Sequence, residues 1–258
     1  MESHKFYHVH GFHSRLFLDH YCSGKPDMPF ANDGVKFPME RFHHAFSSGE
    51  FKGNVLIDFS IGPVIHHLYP ACEYFRDIIL LRVSDHCILE VKKWLNARTG
   101  AFDWSHTATI ALEIGGNSNP YEDNETQLKA SITNVVKCDL SKENLIDPLI
   151  LQQADCVVTA CMLEVISKDQ EDFVRNLRKL SQLLKCGGHI MIYCFLNATY
   201  FMVQGEKFHF FKINEHILRS ELVNEGFVIK HWEVFQRTAK SHLTDYDSVV
   251  FCTAIKEK

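Results

Sequence analysis

"VLIDFSIGPVIHHLYP", residues 55–70, decides how the rest of the chain is read. An apolar run ends in an acid, Asp58, and a tight loop with one glycine, Gly62, and one proline, Pro63, follows. Residues 63–74 then have the apolar spacing of a helix. A buried strand turning sharply into a helix opens an α/β unit, and that turn is where such folds bring backbone close to a ligand. Loops of this kind usually carry several glycines, but Ser60 and Ile61 stand here where small residues are expected.

Working outward, "DIILLRV" (77–83) reads as a second buried strand. Residues 85–97 read as a helix with Ile88, Val91, Trp94 and Leu95 on one face and Asp85 placed to cap it. Strands follow at 134–140 and 154–162, and then an amphipathic helix at 169–185 that Gly187 and Gly188 are placed to end. A fifth strand at 189–196, a helix at 214–226 and two closing strands at 227–236 and 247–256 complete the pattern. Towards the N-terminus, Phe37, Met39, Phe42 and Phe46 are helically spaced, with Pro38 limiting where that helix starts. Residues 117–126 read as a turn-rich surface segment before a short helix.

The last two strands are joined by about ten polar residues without helical spacing, which favours an antiparallel pair, because a parallel crossover needs a helix. The expected fold is therefore α/β: a doubly wound, mostly parallel seven-stranded sheet with a C-terminal antiparallel hairpin. One domain is expected over 1–258, with 1–46 as an N-terminal cover and 54–256 as the core.

Composition narrows the function classes. The chain has 258 residues, 46% of them hydrophobic and 23% charged, so a large core is expected and disorder is not. Net charge is −5 and no basic block exceeds two residues, so no nucleic-acid partner is expected. No apolar stretch approaches the roughly 20 residues of a membrane span, and "MESHKFYHVH" has no signal-peptide core. Several of the nine cysteines sit in strand-like apolar runs, and no CxxC pair occurs, so reduced thiols and a cytoplasmic protein are expected. A monomer with a small-molecule ligand is the simplest expectation.

Five alternating strands plus a closing pair are the plan of class I methyltransferases. The blocks at 54–95, "GAFDWS" (100–105), "VVKCDL" (135–140), "ADCVVTACMLE" (154–164), "LLKCGGHIMIY" (183–193) and "YFMVQGEKF" (200–208) make the resemblance specific. Across residues 12–256 the chain resembles the nicotinamide, phenylethanolamine and indolethylamine N-methyltransferase family, with residues 23–40 fitting poorly. The resemblance implies S-adenosylmethionine as cofactor. It also implies which positions should hold it, and there the chain departs from the family. Two tyrosines become Phe17 and Cys22, while Tyr21 remains. The loop Asp-Ile-Gly-Ser-Gly-Pro becomes "DFSIGP", so Ser60 and Ile61 precede the retained Gly62, and a later tyrosine becomes His66. Arg82 replaces the acid that holds the ribose, and Cys87 replaces an asparagine. Asp139 is retained on the adenine side, and Leu140 and Ala160 complete the aligned cofactor positions. At the substrate end an aspartate becomes Cys194 and a tyrosine becomes Phe201.

A guanidinium has five donors and no acceptor, so Arg82 cannot accept hydrogen bonds from ribose hydroxyls. With Ser60 and Ile61 crowding the loop, S-adenosylmethionine is expected to bind poorly or not at all. The leading expectation is a silent family member with a repurposed pocket, serving a different ligand or a protein partner. An active methyltransferase on a small amine or pyridine-like substrate is the alternative. A third reading is metal binding by the histidine-rich arm, with "HVHGFH" at 8–13 and sixteen histidines in all. Arg82 is expected either to form an anion site or, preferably, to reach solvent or pair with Asp58 or Asp85. Cys194 reads as a packed thiol rather than a nucleophile, and Glu164 either as a pocket-mouth acid or as a helix-start acid. Restoring the family residues, Arg82→Asp with Ile61→Ser, is expected to recover part of the cofactor affinity, and Ser60→Gly more.

Overall fold

The computed structural model describes residues 4–25, 28–115 and 121–257. Strands β1 (Val55–Asp58), β2 (Asp77–Arg82), β3 (Ile132–Lys137), β4 (Ala154–Ala160) and β5 (Leu184–Leu196) run parallel. A separate hairpin, β6 (Tyr200–Val203) and β7 (Glu206–His209), follows, and then β8 (Phe227–Gln236) and β9 (Ser248–Lys256). The main sheet has the order β3-β2-β1-β4-β5-β9-β8. Strand β9 inserts antiparallel between β5 and β8, with register from His189↔Ile255 to Leu196↔Ser248 on one side and Phe227↔Lys256 to Gln236↔Ser248 on the other. The expected seven-stranded sheet and closing antiparallel pair are both present. Chain order reverses between β1 and β4, so the ligand crevice lies above the carboxyl end of β1.

The helices are α1 (Tyr7–His10), α2 (Ser14–Tyr21), α3 (Phe37–Ser47), α4 (Asp85–Leu95), α5 (Ser105–Gly115), α6 (Tyr121–Ser131), α7 (Leu163–Ile166), α8 (Gln170–Gln182) and α9 (Glu215–Asn224). Side-chain caps start two of the expected helices: Asp169 accepts from the Asp172 N–H and Asn214 from the Ile217 N–H. Helix α3 carries Pro38 in its first turn, as expected, but a π-helical turn, Ala31–Lys36, feeds it.

Local expectations fail where a second partner competes. The segment after β1 is a 3-10 helix, His66–Glu73, because Pro70 has no N–H to give His66 an α-helical bond. Asp85 does not cap α4; Ser84 occupies the cap position, and the Asp85 carboxylate pairs with Lys137 at 2.6 Å. Helix α8 ends at Gln182, before the glycines. Gly187, at φ +78°, instead serves a bulge in β5, where Leu184 faces Ala154 and His189 faces Cys156. Helix α5 and the β6–β7 hairpin had no counterpart in the sequence reading. Of the segment read as turn-rich, α6 takes the part from Tyr121 onward, and residues 117–120 lie outside the described residues.

The N-terminal segment is bolted across the carboxyl ends of the strands. Lys5 extends the hairpin, its N–H donating to the Lys207 carbonyl (3.0 Å) and its carbonyl accepting from His209 (2.8 Å). Asp33, fully buried, accepts from the Thr238 and Ala239 N–H groups (2.8 and 3.0 Å), the Tyr246 hydroxyl (2.5 Å) and the Thr238 hydroxyl. Its carbonyl also accepts a hydrogen bond from the Tyr193 hydroxyl. The π-helical turn is thereby fastened to the β8–β9 connection and to β5.

No helix among the described residues is long and apolar enough to cross a membrane. Eight of the nine cysteines are buried free thiols, and Cys186 alone is exposed. Burial pushes most of the buried thiols well above their ordinary range, which suppresses the reactive thiolate. A thiol reagent should therefore modify one cysteine, Cys186, in the native protein and all nine in denaturant. Several fast-reacting native thiols would contradict this packing.

Candidate functional site

At the end of β1, Asp58 is fully buried, and so is Arg82 at the end of the neighbouring β2. Their side chains form an ion pair, Arg82 Nη2 to Asp58 Oδ2, at 2.8 Å. The guanidinium also donates to the carbonyls of Leu81 (2.8 Å), Val64 (2.9 Å) and Asp58 (3.3 Å). It thus ties two strand ends to the loop between them. The other Asp58 oxygen accepts from the Ser60 hydroxyl (2.6 Å) and lies 2.7 Å from His67 Nε2. Burial alone would raise the Asp58 carboxyl, but Arg82, His67 and Ser60 outweigh it and hold the group down at about 2.

Of the expectations for Arg82, pairing with Asp58 is met. Arg82 neither reaches solvent nor offers an anion site, since it is fully buried and its charge is matched by Asp58. A second expectation, for Ser60, is corrected. Ser60 does not crowd the ligand side of the loop. Its side chain turns into the core, donating to Asp58 and accepting from the Ala160 N–H at 3.0 Å, which staples β1 to β4. Asp58, His67 and Ser60 contain the residue types of a nucleophilic triad but not its geometry. His67 Nε2 faces both Asp58 Oδ1 and, at 3.3 Å, Ser60 Oγ, so one nitrogen would have to play both roles of the relay.

The ligand side of the loop is covered by aromatic rings from the N-terminal arm. Gly62 has φ +60°, and a Cβ placed there would lie 3.1 Å from Phe17 and 3.4 Å from Phe12. Glycine is required both by the backbone angle and by this contact. Tyr7 stacks on Phe12 and Phe12 on Phe17, at centroid distances of 4.4 and 4.8 Å. The Tyr7 hydroxyl lies 3.4 Å from the Cys87 sulfur, and the Ser14 hydroxyl is equally close. Cys87, at the position of the family's asparagine, is fully buried against these residues.

Beyond Ile61 an apolar cleft remains, with an interior of about 60 Å³. Phe17, Cys22, Ile61, His66, Ala160 and Phe201 are among its walls. Phe201 packs among Phe12, Phe208 and Phe210. Cys22 is a buried thiol whose carbonyl accepts from His106 at 2.6 Å. The retained Tyr21 hydroxyl donates to the Met202 carbonyl (2.8 Å). Cys194 is buried behind the cleft wall and is not among its lining residues; burial raises its thiol well above the ordinary value.

On the adenine side, Asp139 and Leu140 border an open groove of about 630 Å³ with Val83, Lys137 and Cys138. The Asp139 carboxylate is already engaged by the Ser141 N–H (2.9 Å) and hydroxyl (2.6 Å), which lower its pKa. The Leu140 carbonyl accepts from Lys179 at 2.8 Å. Asp139 and Leu140 thus border a different opening from the cleft that holds Phe17, Ile61 and Phe201. Among the described residues, no three histidine, cysteine or acidic side chains come together as a metal site, so the histidine-rich arm supplies no ligand cluster.

Tyr7, Phe12 and Asp33 were missed from the sequence. Asp33 lies in the 23–40 stretch, where the resemblance is weakest, and nothing local marks it. Glu164 is not a mouth acid: it is buried, its Oε1 accepts from the Phe195 N–H at 3.1 Å, and burial lifts its pKa to about 8.

A model of the NNMT/PNMT/TEMT family matches residues 3–257. Indolethylamine N-methyltransferase of Oryctolagus cuniculus is 32% identical over 84% of this chain and 82% of its own length. Human nicotinamide N-methyltransferase is 28% identical over 95% of this chain and 93% of its own, and human phenylethanolamine N-methyltransferase is 28% identical over 95% and 89%. Among solved structures, magnesium protoporphyrin IX methyltransferase from Synechocystis PCC 6803, with bound SAM, superimposes with a TM-score of 0.57 at 12% identity, covering 97% of this chain and 93% of that one. The glycopeptide N-methyltransferase MtfA complexed with S-adenosylhomocysteine gives 0.53 at 12% identity, covering 86% and 90%. The fold is that of class I S-adenosylmethionine-dependent methyltransferases.

Two outcomes follow from the buried charges. Arg82→Asp places a second carboxylate against Asp58 in a sealed site. It should cost about 3–5 kcal/mol in urea unfolding and restore no cofactor affinity; a stable variant with recovered affinity would contradict the pairing. Glu164 keeps its proton up to about 8 when folded but only to its ordinary 4.5 when unfolded. Its contribution therefore declines as pH rises from 4.5 towards 8. His66, lowered to about 3 chiefly by burial, acts oppositely below its ordinary 6.5. Between 6.5 and 8, stability should fall with pH in the wild type and fall less in Glu164→Gln; equal slopes would contradict the buried acid.

Proposed function

We propose that this chain, which belongs to the NNMT/PNMT/TEMT family, has kept the methyltransferase fold while its cofactor site has been taken over by its own side chains, leaving weak or no methyl transfer. One observation carries the reading: Arg82, at the position of the family's ribose-holding acid, is fully buried and turns its two Nη groups to Asp58, Leu81 and Val64. No side chain at that position accepts a hydrogen bond from a ribose. The rings of Phe12 and Phe17 against Gly62, and Tyr7 against Cys87, support the same reading, because they cover the backbone a cofactor must approach. The residues present do not fit S-adenosylmethionine.

The reading differs in cause from charge repulsion. Because Asp58 neutralises Arg82, the sulfonium of the cofactor meets no net positive charge there. S-adenosylmethionine and S-adenosylhomocysteine should therefore be equally poor ligands. Losing several ribose and methionine contacts is worth roughly a thousandfold in affinity if about 4 kcal/mol is lost.

Calorimetry with both compounds tests this, with human nicotinamide N-methyltransferase measured alongside. We expect no saturable binding at micromolar concentrations for either compound and no methyl transfer to amine or pyridine substrates. Micromolar binding of S-adenosylmethionine would overturn the reading and make an active methyltransferase the better account.

A further inference from the structure

We propose that residues 4–10 are a pH-releasable strap: at neutral pH Tyr7 plugs the loop at Gly62, and protonation of the imidazoles that seat the strap, His8 and His209, frees it. The proposal rests on the reading of the site as filled by the protein's own side chains and names what regulates that filling.

The plug comes first. Tyr7 is 1% exposed and is the one buried side chain among residues 4–10. Its hydroxyl lies 3.4 Å from the Cys87 sulfur, and the Gly62 N–H is directed at the same oxygen. The loop amide is thereby satisfied from within the chain. Release of the strap uncovers that amide and the Cys87 thiol together.

The strap around this plug is lightly held. Lys5 makes two backbone bonds to the β6–β7 hairpin and an exposed ion pair with Glu206 at 2.5 Å, a contact of small worth. Helix α1 is a single turn, Val9 and His10 are exposed, and Gly11 follows at φ +67°. A Cβ at Gly11 would meet nothing within 4 Å, so glycine is there for its backbone angle and not for packing. Gly11 is the pivot between the strap and Phe12. A segment with so few buried contacts opens locally at a fraction of the free energy of global unfolding.

The seat is made of histidines. The Phe6 ring lies between two imidazoles, 5.7 Å from His8 and 4.8 Å from His209. His209 Nε2 donates to the Ser167 carbonyl (3.1 Å), and His4 Nδ1 donates to the Thr199 carbonyl (3.2 Å). His8 Nδ1 is buried without a hydrogen-bond partner, so an imidazolium there would hold an unpaired N–H in the closed seam. The charged residues beside the seam include Lys5, Lys207, Glu206 and Asp172; Glu206 is taken by Lys5 and Asp172 by Arg175. The groove that His8 borders adds Lys137, Asp139 and Asp147, engaged by Asp85, Ser141 and Lys142. Burial lowers the pKa of His8, with Asp172 opposing and His209 and His10 adding to it. Burial likewise lowers His209, with the Ser167 bond opposing and His4 adding to it. Both rings take a proton more readily once the strap is released, so the closed form is lost as pH falls below their ordinary 6.5.

Labelling of the full chain with a pyridyl disulfide that reacts in acid, read cysteine by cysteine by mass spectrometry, tests the proposal without any cofactor. Exposed Cys186 is the internal reference, Cys87 reports the strap, and Cys156 and Cys252, buried in β4 and β9, report global unfolding. Between pH of about 7.5 and about 5.5, we expect the Cys87-to-Cys186 labelling ratio to rise several-fold while Cys156 and Cys252 stay protected. The ceiling is about a hundredfold, about tenfold for each imidazole. Tyr7→Ala should raise the ratio at neutral pH already, and His8→Gln with His209→Gln should flatten the pH response. If the double variant fails to fold, each single histidine change should lower the rise, and the wild-type ratio still decides. A ratio unchanged between the two pH values, a rise shared by Cys156 and Cys252, an undiminished rise in the histidine variants, or a Tyr7→Ala protein as protected as the wild type would each overturn the proposal. Saturable S-adenosylmethionine binding would instead overturn the silent-site reading, whatever Cys87 does.

Discussion

The ion pair between Asp58 and Arg82 is the constraint on which the rest of the site depends. A guanidinium with no exposed surface is tolerated only when a carboxylate and several carbonyls receive it. Asp58 and the carbonyls of Leu81 and Val64 meet that requirement, and in doing so they join β1, β2 and the loop between them. Once Arg82 is committed inward, the end of β2 has nothing to offer a sugar. The same commitment holds Asp58 in place to receive Ser60 and His67, and Ser60 in turn reaches Ala160 on β4. Arg82 and Asp58 together fasten the ends of β1 and β2 to the loop between them.

The N-terminal arm covers the same loop from the other side. Tyr7, Phe12 and Phe17 make a stacked row over Gly62, and Lys5 joins the β6–β7 hairpin. Asp33 fixes the following turn to the other end of the sheet. The crevice at the chain-order reversal is divided into an apolar cleft at one end and an open polar groove at the other. What separates them is side chains of this protein.

The fold was legible because its signals are local and redundant. Alternating buried strands and amphipathic helices placed all seven strands of the main sheet, and the missing helix between 236 and 247 marked the antiparallel pair. Boundaries were lost where tertiary partners intervened: Lys137 drew Asp85 from its cap, and the β5 bulge claimed Gly187. The site was legible as a set of departures, since Arg82, Cys87 and Cys194 stand out against the family pattern. What the departures do was not legible, because it depends on side-chain direction. Ser60 looked like an obstruction and is a staple turned inward. Arg82 looked like an obstacle to the cofactor's charge and is neutralised. Asp33, 205 residues from Thr238 in sequence, left no local trace of its role.

The central claim is that Arg82 serves Asp58 rather than a ligand. A double-mutant cycle of Asp58→Asn and Arg82→Met, read by urea unfolding, measures that service directly. The account predicts that each single change is severely destabilising, that the double variant is less destabilised than their sum, and that the coupling is about 1–3 kcal/mol. Additive losses, with no coupling beyond about 0.5 kcal/mol, would contradict it.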